Sequence, residues 1–172
     1  MSLFSKTLYF SAFLWLVAGC GFEPLYGAKG QSVRVDAALN EIRINPIKDR
    51  VGQQLHNYLL DRLNSRGAPR HPRYILVVSA SVSKTELGIE RDETATRAKL
   101  SLTANFALHG AADRAVVFSG SSQSTNSFNI VDSDFATLSA EKDAIDRAAR
   151  MVSEDIKTRL GLYLNRIGGQ PR

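Results

Sequence analysis

A chain of 172 residues with 22 Lys and Arg against 17 Asp and Glu carries a formal charge of +5, an excess that permits an anionic partner without demanding one. No Lys/Arg block, aromatic stacking motif or zinc-finger spacing accompanies it, which argues against nucleic acid. The single cysteine excludes an internal disulfide and any multi-cysteine metal or iron–sulfur site, so the domain must hold together by packing.

Residues 1–19 read MSLFSKTLYFSAFLWLVAG. Lys6 and the amino terminus are positive, the run from Leu8 to Ala18 is uncharged, and small residues stand before Cys20. This is the layout of a secretory signal. The apolar run is short for a membrane span, which needs about 20 residues; an uncleaved anchor or a buried helix is the competing reading. Val17-Ala18-Gly19-Cys20 resembles a bacterial lipobox. That resemblance implies cleavage before Cys20, a diacylglycerol on its thiol and an acyl chain such as palmitate on its new amino group. More than one acyl chain meets the requirement for durable anchoring. Gly21 in place of an aspartate implies sorting to the outer membrane, with the anchor facing the periplasm. What remains after residue 19 suits one ordinary domain.

Residues 20–38 are expected to form a lipidated tether, because Pro24, Gly27 and Gly30 interrupt regular structure. The domain proper is expected over 39–167, with a frayed tail at 168–172. Glu41 to Asn45 alternates charged and apolar residues, as a short strand does. Asp49 is a credible helix cap, and Val51, Leu55, Tyr58, Leu59 and Leu63 recur at helical spacing up to a stop at Gly67, giving a helix over about 50–66. Tyr74, Leu76, Val78, Ala80 and Val82 then alternate with Ile75, Val77, Ser79, Ser81 and Ser83. Beyond a charged turn, Ala98, Leu100, Leu102, Ala104, Phe106 and Leu108 alternate with Lys99, Ser101, Thr103 and Asn105. Both runs read as antiparallel strands with one buried face. Val116 and Phe118 open a fourth strand, whose polar continuation from Ser119 to Ser127 reads equally as strand or loop. Ile145, Ala148, Ala149, Val152, Ile156, Leu160, Tyr163, Leu164 and Ile167 make one helical stripe. Asp143/Arg147, Asp146/Arg150 and Asp155/Arg159 lie on its solvated side, each acid four residues ahead of its base. The expected fold is α+β: two helices on one face of a four-stranded, mostly antiparallel sheet, in the order β-α-β-β-β-α.

Two helices on one side leave the other face open. Ser79, Ser81, Ser83, Ser101, Thr103, Asn105, Ser119, Ser121, Gln123 and Thr125 fall on it. A solvated face is the plain reading. Short hydroxyl side chains without Lys or Glu also suit close docking against a polar wall, and the lumen of an outer-membrane β-barrel is one. Catalytic and metal-binding patterns are missing: His56, His71 and His109 have no ligand spacing, and there is no G-x-S-x-G, phosphate loop or H-E-x-x-H. The dense segment from Gly88 to Arg97 is either a charged hairpin tip that blunts aggregation or a recognition tip, where Arg91, Arg97 and Lys99 would meet phosphates.

Cys20-Gly21-Phe22-Glu23-Pro24-Leu25-Tyr26-Gly27, then Asp49-Arg50-Val51-Gly52-Gln53-Gln54-Leu55, then Leu87-Gly88-Ile89 with Thr94-Ala95-Thr96-Arg97, and late Ala140-Glu141-Lys142-Asp143-Ala144 with Arg147-Ala148-Ala149, make the chain resemble the LptE family of lipopolysaccharide-assembly lipoproteins. The C-G-F-x-P-L-Y-G opening is the specific part. The resemblance implies two helices on a four-stranded sheet and a non-enzymatic plug and chaperone inside the β-barrel LptD in the outer membrane. It also implies a part in placing lipopolysaccharide in the outer leaflet, with no cofactor beyond the lipid on Cys20. Lipopolysaccharide contact carries over to Arg91 and Arg97, while the barrel-contact face is expected from strand alternation at Ser79, Ser81, Ser101, Thr103, Asn105, Ser119 and Ser121. The rival expectation is a free-standing, lipid-anchored periplasmic binding module with no barrel partner.

Overall fold

A computed structural model of the chain describes residues 29–89 and 95–168. Cys20, the lipobox-like residues, Arg91 and the tail beyond Gly168 lie outside them. The described elements are α1 (Lys29–Leu39), β1 (Ile42–Ile44), α2 (Arg50–Leu63), β2 (Tyr74–Ile89), β3 (Ala95–Gly110), β4 (Val116–Asn129) and α3 (Asp134–Gly168). The four strands form one sheet in the order β1-β2-β3-β4. β1 runs parallel to β2, and the other neighbours are antiparallel. The expected α+β architecture stands, with α1 added at its front.

Period-two alternation divides this sheet between core and open side. On β3, Ala98, Leu100, Leu102, Ala104, Phe106 and Leu108 are all buried. Register sets them beside Leu76 and Val78 of β2 and Phe128 of β4. Leu55, Leu59 and Leu63 of α2 and Val152, Ile156 and Leu160 of α3 close over this side, in one cluster with Ile42 and Ile44. Each fully buried Leu or Ile contributes about 1.5–3 kcal/mol relative to an exposed one. Ser133 starts α3 by accepting the Ala136 N–H through its Oγ, at 3.4 Å.

The structure departs from the sequence reading, or decides it, in five places. First, a helix stands over 29–39, where an irregular tether was expected through 38. Leu39 is buried, and Val35 and Ala38 pack against the core. Three apolar contacts on a short, Gly-containing segment leave little periodicity to read. Second, Asp49 precedes α2 as expected, but its side chain makes no capping hydrogen bond and its φ is 65°. It accepts the Gln53 N–H through its main-chain oxygen instead, at 2.9 Å. A Cβ on Gly52 would sit 2.7 Å from Ile47 Cγ2, so glycine lets the β1–α2 loop fold back onto the first helical turn.

Third, α2 ends at Leu63, before Gly67. The Asn64 side chain donates to the Ile42 carbonyl at 3.1 Å and ties the helix end to β1, while Gly67, at φ 94°, shapes the turn beyond. Fourth, the segment from Ser119 to Ser127, open between strand and loop in the sequence, is strand: β4 runs through it without a break. Its polarity has a packing cause: Ser122 and Ser124 are buried, small enough to let α3 lie close. A Cβ on Gly120 would come within 2.9 Å of the Phe106 ring. Finally, the α3 stripe holds from Ile145 to Leu164 but is wider and shorter than expected: Ala144 and Ser153 are also buried, whereas Ile167 is 38% exposed.

Candidate functional site

Strand pairing assembles the open face in rows. Ser79, Asn105 and Ser121 form one row, Ser81, Thr103 and Gln123 the next, and Ser83, Ser101 and Thr125 a third. All seven barrel-contact residues named from the sequence lie on this one face; Ser119 stands beside Ala107 and Val77. None is buried. The side chains bond to one another across strands. Gln123 Nε2 donates to Ser101 Oγ at 2.7 Å, and Ser101 Oγ and Thr125 Oγ1 are 3.1 Å apart. These bonds join the second and third rows through hydroxyl and amide groups that both donate and accept.

The face is graded along its length. At one end stand Val77, 40% exposed, and Val117, 37% exposed. The middle is uncharged. At the hairpin end Arg97 and Lys99 occupy successive open-face positions of β3, opposite Leu87 and Thr85. Among the described residues of these rows there is no acid, because Glu86 points to the helix side with Ala98. Arg97 is exposed. Whether Arg91 joins it lies outside the described residues.

A second feature sits on the helix side near the same end. A groove of about 190 Å³ opens between the first turn of α2 and the second to fourth turns of α3, lined by Val51, Leu138 and Ile145 with Arg50, Glu141 and Lys142 beside them. Lys84 of β2 bridges to Glu141 at 3.1 Å. Phe135, one turn before Leu138, is 80% exposed. Sequence reading missed this groove because its walls come from two helices far apart in the chain.

The α2–α3 seam is polar. The Tyr58 hydroxyl donates to Asp146, and Arg150 Nε reaches the Tyr58 oxygen at 3.2 Å and Asp146 at 3.0 Å. The Arg62 and Arg150 guanidinium carbons lie 5.5 and 5.3 Å from the Tyr58 ring centroid, within cation–π range. The Tyr58 hydrogen bond lowers the Asp146 carboxyl below its ordinary value; burial opposes this, and Arg150 assists. At Asp155 burial is the largest influence and raises the carboxyl, but Ser122 and Arg159 outweigh it and the net shift is downward. All three Asp–Arg pairs expected on α3 are formed. The Tyr58, Asp146 and Arg150 groups lock helix to helix. No three His, Cys, Asp or Glu residues gather into a metal site among the described residues.

Comparison with known proteins identifies this arrangement. A solved lipoprotein candidate from Caulobacter crescentus is 22% identical and superposes with a TM-score of 0.67, over 82% of this chain and 100% of that one. Lipoprotein B of Nitrosomonas europaea is 14% identical with a TM-score of 0.52, over 74% and 84%. A minor lipoprotein of Acinetobacter baumannii is 16% identical with a TM-score of 0.50, over 69% and 92%. At such identities the likeness is one of fold. No curated protein matches the sequence. The sequence itself matches the family LptE, lipopolysaccharide-assembly, over residues 31–160, which is most of the chain. By that match, the chain belongs to the LptE family of lipopolysaccharide-assembly proteins.

Proposed function

We propose that the protein is an outer-membrane lipoprotein that fills the lumen of the LptD β-barrel, helps that barrel assemble and assists lipopolysaccharide into the outer leaflet. The observation that carries this reading is the open face. Three strands present an uncharged layer of Ser, Thr, Asn and Gln, where a solvated sheet would carry Lys and Glu. A polar lumen wall exchanges hydrogen bonds with such a layer without burying a charge. The protein acts by binding rather than catalysis. Residues 1–19 are its signal, and Cys20 carries the diacylglycerol and acyl chains that hold the domain at its membrane. Arg97, with Lys99 beside it, supplies positive charge to lipopolysaccharide phosphates, and Arg91 adds to it from the hairpin.

Affinity purification from detergent-solubilised outer membrane tests this. A large β-barrel protein should co-elute in one-to-one ratio. Ser101→Lys or Ser121→Glu should abolish co-elution while the domain stays folded. A protein that elutes alone, although acylated and folded, would overturn the plug reading in favour of a free-standing periplasmic binding module.

A further inference from the structure

We propose that the end of the domain where β1 and β2 begin is a docking surface for an anionic phospholipid membrane, and that it sets how the anchored domain stands. Four segments meet there. The Glu41 carbonyl, two residues after α1, accepts the Arg73 and Tyr74 N–H groups at 3.0 and 3.4 Å. The Ala111 N–H donates to the Arg73 carbonyl at 2.9 Å, which brings the β3–β4 turn against the α2–β2 loop. Asn64 starts that loop at the same level, because it bonds to Ile42 and Ile42 pairs with Tyr74. α3 arrives as well: Tyr163 stacks on Phe118 with ring centroids 4.8 Å apart, and Phe118 pairs with Leu108 near the end of β3.

This end is basic. The loop from Asn64 to Arg73 carries Arg66, Arg70 and Arg73 and no acid. Arg114 in the β3–β4 turn and Arg166 in the last turn of α3 add to them. The nearby acids are engaged or set back. Glu41 is bridged to Arg73 at 3.5 Å, and Asp113 Oδ1 accepts the Ala115 N–H at 3.1 Å. Asp36 and Asp61 stand in the last turns of α1 and α2. Arg66, Arg70, Arg114 and Arg166 are exposed and have no ion-pair partner among the described residues. Residues 20–28 bring one acid, Glu23, too few to neutralise them. Arg114 sits at φ 56°, where glycine or asparagine would cost less, so the turn carries its base at a backbone penalty. Val116, 58% exposed, follows it.

Guanidinium groups spread around an exposed valine suit phosphates above an apolar layer. The inference rests on the Cys20 anchor of the proposed function. Acyl chains keep the domain beside a membrane, so its basic end meets lipid phosphate at high effective concentration. Each arginine near an anionic surface then adds about fivefold to binding. A one-to-one plug leaves this end available. Strands of 16 residues reach about 53 Å, whereas the apolar band of an outer-membrane barrel is about 25 Å tall. An end must project, and this is the end at which the chain leaves β1 toward Cys20. Docked so, the arginines turn to the headgroups and the long axis stands away from the surface, with Arg97 and Lys99 held at the far end.

The chain from residue 20 onward with Cys20→Ala, which lacks the acyl chains, tests it on vesicles of phosphatidylcholine with or without phosphatidylglycerol. Binding should be at least about tenfold tighter to the anionic vesicles and should fall steeply with salt. Arg70→Glu with Arg114→Glu should weaken it about tenfold or more. Lys48→Glu with Lys142→Glu, the same charge change elsewhere on the exposed surface, should weaken it far less. An unaltered circular dichroism spectrum and unfolding midpoint show that each variant is folded. A second readout needs no change of charge: an environment-sensitive fluorophore on Ala112→Cys should shift on binding, and one on Thr85→Cys, near the hairpin end, should not. Equal binding to both vesicles, equal loss from both pairs of substitutions, a shift at position 85 rather than 112, or binding that appears only when lipopolysaccharide is added would overturn the proposal. None of these outcomes involves a barrel. The plug reading fails on co-elution alone, and the anchor fails on the mass of the Cys20 residue in the native protein.

Discussion

On β3, Leu100 and Leu102 are buried to 1% and 0%, while Ser101 and Thr103 beside them look outward from the same strand. Both sides are well ordered by hydrogen bonds or packing, yet they answer to different constraints. The inner side is fixed by volume, because helices must fit against it. The outer side is fixed by hydrogen-bonding chemistry and by the absence of charge. Substitution on the first side should therefore be read in stability, and on the second in partnership.

Four experiments would break or sharpen that contrast. Leu102→Ala removes a fully buried side chain and should cost about 2–5 kcal/mol in denaturant unfolding. Gly120→Ala forces a Cβ to 2.9 Å from the Phe106 ring and should cost about 1–3 kcal/mol by overpacking. Tyr58→Phe keeps the ring between two arginines but removes the hydroxyl that holds Asp146; a loss of about 1 kcal/mol at neutral pH is expected. Its pH dependence gives the sign. Folding lowers the Asp146 carboxyl below its ordinary 3.8, so the stabilisation is present above that value and lost as pH falls through the folded one. Wild-type and Tyr58→Phe unfolding curves should converge as pH drops below 3.8. Ser101→Lys, on an exposed row, should shift stability by no more than about 0.5 kcal/mol while removing the barrel partner. If instead it unfolds the domain, the two sides are not separable as described.

Much of this was legible in the chain. Alternation in β3 reports its buried side residue by residue, because every second residue meets a helix. The α3 ion pairs are likewise local: a spacing of four residues decides them. β4 was ambiguous because burial of Ser122 and Ser124 depends on how near α3 comes, which no local pattern records. α1 was hidden by its weak stripe, and the groove at Val51, Leu138 and Ile145 by the long separation between its walls. Strand parity alone gathers the residues of the open face onto one side of the sheet. Its rows needed the register, which pairs Ser79 with Asn105 and Asn105 with Ser121.

The unequal lengths of the two main helices have a mechanical consequence. α2, with 14 residues, is about 21 Å long, and α3, with 35, about 52 Å; 16-residue strands reach about 53 Å. Beyond the first turn of α2 the sheet is a cantilever clamped by one helix. On β2 every residue from Ser81 to Leu87 is exposed, Val82 included. That outer reach has fewer buried groups to lose when it bends or opens, so it should yield first under thermal stress or proteolysis while the clamped half stays closed. Arg97 and Lys99 project from the open side of the neighbouring strand, back to back with the buried Ala98 and Leu100, so the β2 side of that reach should give way before the strand that carries them.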